Sequence, residues 1–374
     1  MKKTALYLLA TLGMAAYLMA NSSWFMDVYV NAWSNDRRPA FLNWDKNKYG
    51  DLYGLSYLAR FRQPVGGLYY DERSYPTANK DIDLWIIGDS FLAHTLKPGN
   101  DAYLKNANLR DMWWGLRDKK PRKLDFRQSK INVLIFEATE RFVRDDVGRR
   151  RAVETDVLPA FEPAAGTDGV AMSTSLQERL RPTLIWLLTP GHGDKVDQNL
   201  ETLFFGYEFL APIKEAKAAL NYSGFARTAP YVYASPDGNR LFYSDTMSDD
   251  LNGSSYKPIP DAELDNIVAN LNLIADTYRQ KGFDEVFLSL TPNAATITAR
   301  DPRPYNQLIP RLQRHPALRM RVIDIYSRMK QMPEPDALYW PNDTHWTSNG
   351  FKLWVDAANE AFRALTETRA TQTQ

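Results

Sequence analysis

A serine that attacks a carbonyl needs a base within hydrogen-bond reach, and that base needs a carboxylate to hold its tautomer. The chain offers one such set. Leu84-Trp85-Ile86-Ile87 is an apolar run that breaks at Gly88-Asp89-Ser90-Phe91. A buried parallel strand reads as such a run, and α/β folds place their chemistry where it ends. Ser90 is the candidate nucleophile, with a helix N-cap as the bland alternative role for the same hydroxyl. Of four histidines, only His345 has an acid, Asp343, two residues before it. In an extended segment that spacing puts both side chains on one side, so the carboxylate can orient the imidazole. His94 lies closer to Ser90 but has no carboxylate at useful spacing. His315, within Arg311–Arg319, reads as surface, and His192 sits in a Pro-Gly-His-Gly loop. The chemistry expected is that His345 takes the Ser90 proton while Ser90 attacks an acyl carbonyl. The acyl group then passes to water or to another hydroxyl. No cofactor and no metal ion is called for.

The elements that would carry these residues alternate along the chain. Ile82–Gly88, Ile131–Glu137, Glu285–Leu290 and Arg319–Ile325 are apolar, β-branched runs and are expected as strands. Asp261–Gly282 is an amphipathic helix with Leu264, Ile267, Leu271, Ile274 and Tyr278 at helical spacing and Gly282 as its stop. Phe351–Leu365 is expected as a closing helix, and Tyr103–Asp118, Leu180–Leu188 and Phe209–Leu220 have helical character. Tyr231–Tyr243 reads as a hairpin around Ser-Pro-Asp-Gly. Strands separated by helices predict an α/β fold, a three-layer sandwich with a mostly parallel sheet.

The chain of 374 residues is long enough for one large or two moderate domains. Its 46 basic and 45 acidic side chains are spread evenly, which argues against a nucleic-acid partner. With no cysteine, disulfides, thiolate catalysis and Cys-ligated zinc are excluded together. Lys2-Lys3 precede an uncharged apolar run to Ala20, and a positive flank before such a run marks a membrane-targeting segment. Cleavage after Ala20 would put Leu18 where a small residue is preferred, so residues 1–26 are expected as an uncleaved signal anchor rather than a signal peptide. Residues 27–80 read as an irregular membrane-proximal lead-in, and 81–366 as the catalytic domain with an insertion around 143–260. Residues 367–374 read as a frayed polar tail. Arg149-Arg150-Arg151 in the insertion reads as solvated surface.

Four blocks together resemble the SGNH-type acyltransferases: Gly88-Asp89-Ser90-Phe91, Phe136-Glu137-Ala138-Thr139-Glu140-Arg141-Phe142, Pro292-Asn293-Ala294-Ala295-Thr296-Ile297 and Asp343-Thr344-His345-Trp346-Thr347. They span roughly Asp81 to Leu365, and within the group they look most like the alginate O-acetylation proteins and their Asp-His-His-Trp relatives. The serine-first order is instead that of the peptidoglycan O-acetyltransferases and the lipoteichoic D-alanylation protein. Ala294 or Ala295 stands where a lysine is usual. The resemblance implies an SGNH hydrolase-like fold and a Ser90-Asp343-His345 triad. It also implies polysaccharide O-acetylation outside the cytoplasmic membrane beside a membrane-bound O-acyltransferase that delivers the acyl group. Candidate oxyanion and support groups are the Ser90 N–H, Thr139, Arg141 and Asn293. Asp89 is expected to bond backbone amides around the turn, and Glu137 with Arg141 is either a buried pair or part of the machinery. An esterase or deacetylase with the same triad, or a non-catalytic assembly partner, are the competing functions.

Overall fold

The computed structural model describes residues 2–22, 25–26, 48–66, 80–93, 95–96, 103–114, 122–149, 161–162, 199–200, 203–204 and 207–372. The chain divides into two compact units. One comprises Tyr49–Ser56, Arg60–Ala165 and Thr228–Gln374, and the other Met1–Lys48, Tyr57–Ala59 and Gly166–Arg227.

The first unit is α/β and is built on a five-stranded sheet. Its strands are β1 (Ile82–Gly88), β2 (Ala107–Trp114), β3 (Ile131–Thr139), β4 (Glu285–Thr291) and β5 (Arg321–Ile323), in the order β2-β1-β3-β4-β5. Every pair is parallel. All seven residues of β1 are buried, which explains the apolar run Leu84–Ile87, and the one charge among them, Asp83, is paired with Arg127. Side chains alternate across the sheet. Ile82, Leu84 and Ile86 enter one core with Phe351, Trp354, Val355 and Phe362 of the helix Ser348–Gln372, whereas Trp85 and Ile87 enter a second. There they meet Leu264, Ile267, Leu271, Ile274 and Tyr278 of the helix Asp261–Gln280. Helices thus cover both faces. The register aligns Ile87 with Phe136 and Thr139 with Thr291, so β1, β3 and β4 end along one rim.

Two expectations need correcting. Tyr103–Asp118 is not helical where described: residues 107–114 form the edge strand β2. A register shift between Leu84 and Trp85 skips Arg110, so Ala107, Leu109 and Met112 share one core while Trp113 enters the other. That broken alternation mimics a helical period. The closing helix runs on to Gln372 rather than fraying at 367. Thr368 and Thr371 hydroxyls bond back to the carbonyls of Ala364 and Glu367, and Arg369 pairs with Asp284. Tyr49–Ser56 belongs to the sheet unit and Gly166–Arg227 to the other. The hairpin is present, as Val232–Ala234 against Leu241–Tyr243. Residues Leu180–Leu188, Arg150, Arg151, His94 and His192 lie outside the described residues.

In the second unit, α1 (Lys2–Asn21) is long and apolar enough to cross a membrane. α2 (Ala211–Phe225) lies in the same unit.

Candidate active site

Ser90 begins a short helical turn, Ser90–Ala93, directly off the end of β1. Its Oγ lies 2.7 Å from His345 Nε2, and His345 Nδ1 lies 2.6 Å from Asp343 Oδ1 on the far side of the ring. The Asp-x-His loop is closed by a bridge between Tyr339 and Trp346. Buried Trp346 packs edge-on against Phe91, and Phe91 lies 4.9 Å from the imidazole centroid. The residue after the serine and the residue after the histidine therefore set the distance between them. Asp343 Oδ1 also accepts the His345 N–H at 2.8 Å, which fixes the carboxylate to the backbone it serves. These three residues come together as their types and spacing predict.

A fourth group, Asp51, was not anticipated. It lies 292 residues from Asp343, in the stretch read as lead-in. Its N–H donates to Asp343 Oδ2 at 2.9 Å, while its Oδ1 accepts from Thr344 N–H at 2.7 Å and its Oδ2 from the Thr344 hydroxyl. Oδ2 also stands 3.9 Å from His345 Nδ1. Gly50 makes this approach feasible: at φ +84 any Cβ would stand 2.3 Å from Asn342 O. Asn342 Nδ2 in turn holds the carbonyls of Tyr49, Phe61 and Gln63. On the other flank, buried Arg240 of the hairpin donates to the carbonyls of Asp336, Tyr339 and Trp340, and Leu241 N–H to Pro341 O. The loop bearing the base is thus held from two distant segments. The only local sign of Asp51 is its Gly-Asp pair before a short apolar turn, and nothing in linear spacing ties it to residue 343.

Burial lowers the affinity of His345 for a proton, but the Asp343 hydrogen bond and charge, helped by Asp51, outweigh it and raise its pKa. Asp343 is likewise opposed by burial and held down by His345. Asp51 is raised by burial and by the neighbouring Asp343 charge. One ligand atom each from Asp51, Asp343 and His345 lie within 4.8 Å of one another, a spacing that a cation could bridge. Both ring nitrogens of His345, however, already engage Asp343 and Ser90.

The proposed support groups divide. Asp89 accepts the Phe91 N–H at 3.0 Å and the Thr139 hydroxyl. Glu137 accepts the Asp89 N–H at 2.9 Å and the Thr291 hydroxyl at 2.5 Å. Asp89, Thr139 and Glu137 therefore underpin the turn from inside. Glu137 does not pair with Arg141; burial and then Asp89 push its pKa well up. Asn293 is also turned inward. Its N–H goes to Glu140 Oε2, and its amide to Gly253 O and Ser255 Oγ, so its donors are spent away from Ser90. The Ser90 N–H has no acceptor among the described residues. Arg141 alone of the side-chain candidates faces open space. Its guanidinium lies 4.9 Å from the Phe142 ring centroid, 5.9 Å from that of Phe91 and 6.0 Å from that of Tyr243. It lines a cavity of about 360 Å³ with Asp51, Thr344, Tyr243 and Asp245. His315 is half-buried and paired with Asp265 at 3.0 Å, away from this site.

The chain matches no protein-family model, no curated protein and no solved structure.

Proposed function

We propose that the chain is a serine acyltransferase of SGNH type that carries an acyl group, acetyl in the first instance, on Ser90 and passes it to a hydroxyl of a cell-surface polysaccharide. The observation that carries this is the continuous Ser90–His345–Asp343 hydrogen-bond relay at the rim of a parallel sheet. A helix cap would leave Ser90 bonded to its own backbone. Here its hydroxyl is instead aimed at a base that a carboxylate has already oriented.

In the first half-reaction His345 Nε2 takes the Ser90 proton as Oγ bonds to the donor's acyl carbon. The donor alcohol then leaves with that proton, and an ester on Ser90 remains. In the second half His345 removes the proton of the acceptor hydroxyl, whose oxygen attacks the ester, and Ser90 recovers a proton as it departs. The Ser90 N–H is available to the oxyanion in both halves. Arg141, Tyr243 and the carboxylates along the cavity suit a polyol acceptor, which offers many donors and acceptors. Polysaccharide as acceptor and a membrane-bound O-acyltransferase as donor partner rest on the four-block resemblance. Anchoring by α1, with the relay on the extracytoplasmic side, rests on its apolar length and its Lys2-Lys3 flank.

The test is covalent. Incubation of the full chain with p-nitrophenyl acetate, followed by an acid quench and peptide mapping, is expected to place one acetyl group on the Ser90 peptide. None should form in Ser90→Ala. Acetylation confined to other residues, or unchanged glycan acylation in cells carrying a normally expressed Ser90→Ala chain, would overturn the proposal in favour of an assembly partner. Adding a glycan acceptor then separates transfer from hydrolysis: release of acetate at a rate unaffected by every acceptor offered would mark an esterase.

A further inference from the structure

α2 is built inside out. Its protein-facing positions carry Lys214, Glu215 and Tyr222, with Lys214 Nζ donating to the Tyr57 hydroxyl at 2.8 Å. Its exposed positions carry the large apolar residues instead: Ile213 is 68% exposed and Leu220 65%. At about 100° per residue, Ile213, Ala216 and Leu220 fall on one stripe. Phe209, in the turn before the helix, and Phe225, its last residue, are exposed at either end. A helix in water is expected to show the opposite arrangement.

Two further observations say what covers this face. α2 belongs to the same compact unit as α1, the one described helix with the length and hydropathy of a membrane span. Asn199, twelve residues before α2, donates its side-chain amide to the carbonyl of Ala20 at 2.7 Å, at the last turn of α1. Ala16 and Ala20 are buried there, whereas Leu6, Leu8, Leu9 and Leu12 are bare. The chain leading into α2 thus starts where the apolar helix ends, which is the depth of the headgroups if α1 spans. Exposed Phe204 and Phe209 suit that depth. The exposed positions between 211 and 227 include Lys217 and Arg227 and no acid, so no carboxylate on this face opposes lipid phosphates.

We infer that the Ile213–Leu220 face of α2 lies in the membrane interface, giving the chain a second lipid contact beside its anchor. The inference rests on the anchor reading of α1. The helix would lie roughly parallel to the bilayer with its stripe about 5–10 Å into the headgroup and acyl boundary.

The absence of cysteine makes the test clean, because any introduced cysteine is unique. Full chains carrying Ile213→Cys or Leu220→Cys are spin-labelled in vesicles of phosphatidylethanolamine and phosphatidylglycerol. Leu12→Cys serves as the reference for the span and exposed Gln280→Cys as the reference for water. Labels at 213 and 220 are expected to be relaxed by oxygen and shielded from an aqueous nickel chelate, as at 12 and unlike 280. Free access of nickel to both positions would overturn the inference, and so would shielding from oxygen and nickel alike, which marks a covering protein or a second copy. The Leu12 label reports on the anchor separately. Lipid-buried 12 with water-exposed 213 and 220 removes this inference alone, whereas nickel access at 12 removes the anchor reading.

Discussion

His345 is held between two carboxylates of unequal standing. Asp343 bonds it directly, while Asp51 acts at 3.9 Å and through Thr344. A general base works only when unprotonated, so activity should rise with pH through the raised His345 pKa. Asp51→Asn removes one of the charges that raise it. The rising limb of ester hydrolysis against pH is therefore expected to move to lower pH while the maximal rate changes far less than in Asp343→Asn. That second variant loses the tautomer control itself, on the order of 10⁴-fold in kcat. An unmoved limb in Asp51→Asn would show that Asp51 only supports the loop. Glu137 makes a prediction about stability. Its folded pKa is raised, so it keeps its proton to higher pH in the folded chain than in the unfolded one. Stability from this group is full below the unfolded value and falls as pH climbs through the folded value. Urea midpoints measured as pH is raised above the ordinary glutamate range should show that decline in the parent protein and a flatter profile in Glu137→Gln.

At the scale of elements, the loop at 336–345 owes its shape to partners far away in sequence. Arg240→Ala leaves the carbonyls of Asp336, Tyr339 and Trp340 without their buried donor. A loss of roughly 2–4 kcal/mol in chemical unfolding is expected, with a fall in kcat out of proportion to any change in KM. Gly50→Ala should be as damaging, since its Cβ would collide with Asn342 O and push Asp51 off Thr344. Thermal unfolding and acetyl trapping on Ser90 measure both effects. What was legible beforehand follows the same division. β1, β3, β4 and the helix Asp261–Gln280 are long, strongly patterned and buried on the expected faces, so periodicity found them. β2 escaped because one skipped residue scrambled its alternation. Residues 49–63 escaped because they owe their order to a tertiary contact with Asn342 and carry little pattern of their own.

For the molecule as a whole, the relay was legible because two short blocks each had internal logic: a strand end with a serine, and an acid two residues from a histidine. The roles of Asn293 and Thr139 were not, because position at a strand end does not say whether a side chain turns outward or in. The structure turns them in, beneath the serine turn. The two-unit division also bears on how the chain sits in a cell. With α1 as a span, the full chain is expected to stay with membranes after an alkaline carbonate wash, and loss of Lys2–Asn21 should release most of it. A chain that washes off intact would remove the anchor.

The clamp on Asn342 has a consequence for the order in which the protein comes into being. A ribosome makes Gly50, Asp51 and Ser90 long before Asn342, Asp343 and His345, and domains settle as their parts emerge. No nascent chain ending before His345 can hold both halves of the relay, so Ser90 lacks its partner until 255 further residues have been made. Gly50 and Asp51, at the start of the sheet unit, wait in the same way for Asn342 and Thr344.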